Sequence, residues 1–236
     1  MKAIGKEIGD AITPLYDEIV ARLKAEADCG ISIEPFQGGA LSDVEWDDTG
    51  VVIISLHTGI PTHALAHALG VALQHVRQTL DRYPDVIPGE TDFEGGPTLR
   101  HALRELIMAP EAETQLAPLG LDMQWEIKQR HQGLKDILRG ATKDWEDPAA
   151  PDHAFGAMLY ARFALDHPEE LWTGLKKEFT KKLPAVAESG EGLAQLIRES
   201  GWATPDACIQ SLVNCRDEMG MVEIALIQDR RDGTVQ

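Results

Sequence analysis

The sequence predicts an α+β protein: a small antiparallel sheet with one histidine-bearing apolar helix, followed by a mostly helical C-terminal region. Three observations carry this. Residues 51–56, Val-Val-Ile-Ile-Ser-Leu, give the strongest strand signal in the chain. A long Ala- and Leu-rich stretch with helical spacing opens at Thr62. From about residue 152 onward the chain is almost purely helical in pattern.

Each element follows from its local text. Ile4, Ile8, Ile12, Leu15, Ile19 and Leu23 recur at helical spacing and predict an N-terminal helix, with a restart at Pro14. Gly30 ends that region. Short strands are expected at 31–34 and 44–46, and the turn residues 47–50 lead into 51–56. The helix opened by Thr62 runs through His63, His67, Gly70 and His75 to Leu80. The stretch 81–96 is rich in Pro, Gly and acid, and predicts a loop. A helix over 98–108 is stopped by Pro110, and a short one over 111–116 is closed by Gly120. A charged helical pattern covers 123–138. The segment from Asp144 to Asp152 is the best internal boundary. Helices over 154–165, 168–182, 192–200 and 205–218 follow, then a strand over 221–227. The expected organisation is an α+β region over 1–143, a helical region over 152–227 and a flexible polar tail over 228–236.

Composition narrows the function classes. An apolar fraction of 43% is enough for a packed core. Lys+Arg number 22 against 39 Asp+Glu, a formal net charge of -17 that keeps a protein dispersed. The acids are spread along the chain with Lys and Arg among them, which argues against imitation of nucleic acid. The same balance argues against direct nucleic-acid binding, which needs clustered cations. Another protein is the expected partner. No run approaches a membrane span, and the N-terminus lacks the apolar core and cleavage site of a secretory signal. Cys29, Cys208 and Cys215 include no Cys-x-x-Cys pair. An odd count of isolated thiols points to a reducing compartment, so a cytoplasmic location is expected.

The helix after the strong strand holds the informative text. Residues four apart share a helix face, so His63, His67, Val71 and His75 form one stripe. Two histidines one turn apart can bind one metal ion. The run Leu65-Ala66-His67-Ala68-Leu69-Gly70-Val71-Ala72-Leu73-Gln74 resembles the active-site helix of the zincin metallopeptidases, which commonly reads close to L-A-H-E-L-G-H-A-L-Q. Ala68 stands where that family has its Glu, and Val71 where it has its second His. A second frame, His63-Ala64-Leu65-Ala66-His67, keeps both histidines and again replaces the Glu, here with Ala64. Gly70 then falls where some of these families carry a glycine. The strand at 51–56 followed by this helix is similar to the zincin order, in which the motif helix follows the edge strand. The resemblance is specific over about ten residues and loose from Gly30 to Gly120.

The resemblance implies a zinc site of His63 and His67, with a third ligand from a later helix, for which Glu105 is placed, one turn from His101. It also implies a defect. In these enzymes the missing Glu takes a proton from the metal-bound water and passes it to the leaving amine, which alanine cannot do. No catalytic residue is therefore assigned and no cofactor is expected; zinc is an ion the two histidines could hold. The first functional expectation is a catalytically inactive zincin-like binding or regulatory module. The second is a metal-dependent hydrolase using His63, His67 and a carboxylate such as Glu105 with another base. The third is an acidic helical interaction protein unrelated to zincins, in which the histidines merely pack.

Other candidates are weaker. Asp92, Glu94, Glu111 and Glu113 read as a solvated acidic surface. Ser42, Ser55 and Ser189 lack the strand-to-helix elbow of an activated serine. Gly38-Gly39 and Gly95-Gly96 precede no phosphate-binding helix.

Overall fold

A computed structural model describes residues 1–91 and 93–236, and Asp92 lies outside the described residues. The chain divides into two compact units, 1–81 with 112–126, and 82–111 with 127–236. The architecture is α+β with a mostly helical C-terminal region. Two of the unit boundaries fall inside continuous helices, α3 (Gly96–Leu116) and α4 (Gln124–Gly140). The acid- and proline-rich stretch 144–152 is not a boundary, since both flanks belong to the second unit.

The first unit opens with a hairpin rather than a helix. Strands β1 (Lys2–Ala3) and β2 (Lys6–Glu7) pair antiparallel across Ile4 at φ 40° and Gly5 at φ 78°. Two positive φ values in a row are the geometry of a tight two-residue hairpin turn. The apolar spacing still reports burial, because Ile8 and Ile12 enter the core. Pro14 sits in the first turn of α1 (Thr13–Arg22), where its missing N–H costs nothing, so it starts the helix instead of interrupting it. The last turn widens to a π-type turn over Leu23–Ala27 and ends at Asp28, in left-handed backbone.

The sheet of this unit is mixed. Strand β4 (Ser42–Asp47) turns at Gly50 into β5 (Val51–His57) and pairs with it antiparallel, as predicted. Strand β3 (Gly30–Phe36) pairs with β5 in parallel, so the order is β3-β5-β4 and β5 is the central strand, not an edge. Pairing on both sides suits its β-branched run, in which Val52, Ile54 and Leu56 are fully buried. Helix α2 (Thr62–Leu80) follows β5 and shares a core with those residues and with Ile12, Ile19 and Leu23 of the α1 segment. Residues 112–126 complete the core with Leu119, Leu121 and Trp125.

In the second unit, the expected loop contains a strand. β6 (Asp85–Pro88) pairs antiparallel with β7 (Ala225–Gln228), the C-terminal strand the sequence predicts. Each is only four residues long, and β6 ends on Pro88, so neither gives a strong local signal. The polar tail folds back on β7: Ile227 and Gln236 exchange backbone hydrogen bonds, and Val235 bridges Gln228. Helix α3 runs straight through Pro110. The lost backbone bond is outweighed there by burial of Leu106, Ile107 and Met108. Helices α5 (Pro151–Asp166), α6 (Glu169–Lys182), α7 (Pro184–Ser200) and α8 (Pro205–Glu218) form the helical core, with Tyr160, Trp172 and Phe179 in edge-on contact at its centre. No helix among the described residues is long and apolar enough to cross a membrane.

Candidate functional site

Helix α2 is buried along most of its length, with His63 exposed and Val71 and His75 half-buried. Its N-terminal turn is tied down by Lys6, whose Nζ donates to the Ile60 carbonyl at 2.6 Å. At the other end Asp81 accepts from Arg77 at 2.8 Å and from Arg22 at 2.8 Å, so the helix C-terminus is fixed to α1. Gly70 fits a close approach: a Cβ there would stand 2.9 Å from Leu116 and 3.2 Å from Ile12. Packing within this unit therefore accounts for the glycine.

The predicted stripe is real, but its members have different fates. His63 is exposed on the first turn. Val71 and His75 are half-buried, and His75 donates from Nδ1 to the Gln78 amide oxygen at 2.9 Å. His67 is buried, with 3% of its surface exposed. Its Nδ1 lies 2.9 Å from Oε1 of Glu126, itself only 6% exposed. Glu126 sits in the first turn of α4, where the helix dipole favours a carboxylate. A carboxylate oxygen accepts, so Nδ1–H of the imidazole is the donor in this pair. Ala64 and Ala68, the two positions where the motif frames have their Glu, are both buried, and neither can move a proton.

The expected ligands fall in different units, His63 and His67 in the first and Glu105 in the second. Glu105 belongs to the second unit, half-buried, with its Oε1 taking Arg104 Nη1 at 2.6 Å. His101, one turn before it, is exposed. Among the described residues no group of three or more His, Cys, Asp or Glu side chains is placed to hold a metal ion. A zinc site needs at least three protein ligands. Of the donors on the stripe, His63 stands in solvent, and His67 has its Nδ1 taken by Glu126. Glu126 is the member that sequence reading missed; its only signal is a carboxylate opening a charged helix.

The other candidates resolve as structure. Glu94 is exposed, as a solvated acid should be, whereas Glu111 is completely buried and accepts from the Tyr83 hydroxyl at 3.2 Å. His57 accepts from the Gly59 amide at 3.0 Å and meets Phe36 edge-on. In the second unit, buried His153 donates from Nδ1 to the Trp145 carbonyl at 2.9 Å. Its Nε2 accepts from Ser189 at 3.0 Å. That pair looks like an activated serine, but Ser189 lies inside α7, whose amides are consumed by the helix. It ties α5 to α7.

One cluster makes stability depend on pH. His131 Nδ1 and His167 Nε2 are 3.2 Å apart with rings 15° from parallel, and Arg130 and Arg162 both reach Asp166 beside them. Burial first, then His131 and Arg130, push His167 down to about 4, while Glu170 opposes them. The folded state thus holds His167 neutral where the unfolded chain, near its ordinary value of 6.5, would protonate it. Stability from this group is present above pH 6.5 and is lost as pH falls towards 4. Urea melts between pH 7.5 and 4.5 should show this acid loss in the parent chain. It should be clearly weaker in His167→Gln; equal slopes would mean the pair does not titrate with folding.

Compared with family models, with curated proteins and with solved structures, the chain matches none.

Proposed function

We propose that this chain is a zincin-like binding module without peptidase chemistry, whose motif histidine keeps a supporting carboxylate. The observation that carries this reading is the His67–Glu126 pair on the helix whose text resembles the zincin motif. A metal-ligating histidine typically donates its other ring N–H to a carboxylate, which fixes the ring. His67 has that second partner, while both positions that could supply the general base are the buried alanines Ala64 and Ala68. The supporting carboxylate is present and the reactive apparatus is not. The accessible residues on the same stripe, His63, Val71 and His75, offer a mixed polar and apolar surface for another protein. We place the module in the cytoplasm, on an odd count of cysteines that includes no Cys-x-x-Cys pair.

Two measurements test the reading together. A broad peptide library should show no chelator-sensitive cleavage with or without added zinc. Melting at pH 7.5 should be unmoved by zinc, whereas a true site would stabilise by about 2.7 kcal/mol at a hundredfold excess over its dissociation constant. Chelator-sensitive turnover, or a zinc shift that His63→Ala abolishes, would overturn the proposal in favour of a metal-dependent hydrolase.

A further inference from the structure

The face of the β3-β5-β4 sheet opposite α2 has no role in the site above. Cross-strand partners share a face of a sheet. Val52, Ile54 and Leu56 point to the core, so Val51 and Ile53 point to the other face. Neither belongs to the unit's hydrophobic core or packs against it, and both are half-buried. Beside this stripe the register places Glu34 of β3, and Asp43, Glu45 and Asp47 of β4. Glu34, Asp43 and Glu45 are exposed. Phe36 and His57, paired across the strands with rings 5.9 Å apart, close one end of the face.

The charge around this face is not balanced. Glu26 and Asp28 pair with Arg22 and Lys24, and Lys6 reaches the Thr58 carbonyl beyond the end of β5, but the three strands themselves carry Glu34, Asp43, Glu45 and Asp47 and no Lys or Arg. The interspersed charge suggested by overall composition does not hold here. An apolar centre with a one-sign polar rim is the anatomy of a protein-docking surface, and its sign selects the partner. A second copy of this chain would bring the same carboxylates and be repelled. Lysine and arginine side chains suit it well: their stems cover the Val51–Ile53 stripe, their heads meet the carboxylates, and an aromatic ring is available at one end.

We propose that this open sheet face docks a Lys- or Arg-rich segment of a partner protein. The inference deepens the binding role proposed above, but it stands on the opposite side of the sheet from α2, so cleavage and zinc assays can fail or succeed independently of it.

The probe is a twelve-residue peptide of alternating Lys and Val (about 40 Å extended), titrated into the full chain at low salt. Amide chemical shifts give the location and the dissociation constant. The expected result is shifts concentrated on residues 30–57. Neutralising the rim by Glu34→Gln, Asp43→Asn and Glu45→Gln should weaken binding at least tenfold, and Ile53→Ser should weaken it several-fold. A control removes equal charge elsewhere, by Glu169→Gln, Glu170→Gln and Glu178→Gln on α6, and should change the affinity less than twofold. Circular dichroism establishes that each variant is folded; should the rim triple variant unfold, Glu45→Gln alone is read, with a threefold loss expected. The proposal is overturned if the α6 control weakens binding as much as the rim variant, since attraction is then only to net charge. Shifts centred outside 30–57, or no binding at millimolar peptide, overturn it equally. So does calcium alone reproducing the same shifts at lower concentration than the peptide.

Discussion

His67→Ala is expected to destabilise the first unit by about 3–5 kcal/mol, the usual cost of removing one partner from a buried pair. The loss comes less from the missing imidazole than from Glu126, which stays 6% exposed with its acceptor unmet. Restoring apolar balance should recover most of it: His67→Leu combined with Glu126→Met removes both polar groups from the same space. Urea melts of the parent, the single variant and the double variant make the comparison. A single variant within 1 kcal/mol of the parent would mean that Glu126 turns out to water, and the pair would lose its structural role.

Gly190→Ala should be nearly as damaging, although alanine is the better helix former. A Cβ at Gly190 would stand 2.6 Å from Tyr160 Cβ and 2.7 Å from its Cδ1. Tyr160 cannot swing aside, because its Cβ is fixed to α5, its ring lies edge-on to Trp172 and Phe179, and its hydroxyl donates to Glu191 at 3.0 Å. Helices α5 and α7 must therefore move apart, at about 3 kcal/mol, the upper end of the usual overpacking cost. Gly192, two residues on in the same helix, is the internal control. Nothing lies within 4 Å of its Cβ position, so Gly192→Ala should stabilise by about 0.5–1 kcal/mol. Thermal melts that rank the two variants the other way would show that α5 and α7 are not closely packed.

What could be read from the text was what burial writes locally. Strand β5, helix α2 and the four C-terminal helices each carry their own periodicity, and Pro151, Pro184 and Pro205 mark three of the starts. The misreadings occurred where tertiary structure overrides the local signal. Ile4, Ile8 and Ile12 keep a helical interval because two of them reach the core, yet Gly5 and Gly9, both at positive φ, let the chain turn instead. Pro110 is held in a helix that solvent alone would break there. Strand β6 exists because β7 pairs with it from the far end of the chain. The site follows the same rule. His67 was legible from a ten-residue pattern, whereas Glu126 belongs to that pattern only in space. Glu105 lies in the other unit, and its side chain pairs with Arg104.

The division of the chain has a consequence for how the protein must be made. His67 and Glu126 are separated by 59 residues. At ordinary rates of about 5–20 residues per second, synthesis leaves His67 without its partner for roughly 3–12 seconds. Residues 82–111, emerging in that interval, belong to the second unit, most of which has yet to be translated. The nascent chain therefore cannot finish one unit before starting the other. Until residue 126 has left the ribosome, helix α2 lacks the covering residues Leu116, Leu119, Leu121 and Trp125, and its apolar flank is open to chaperones.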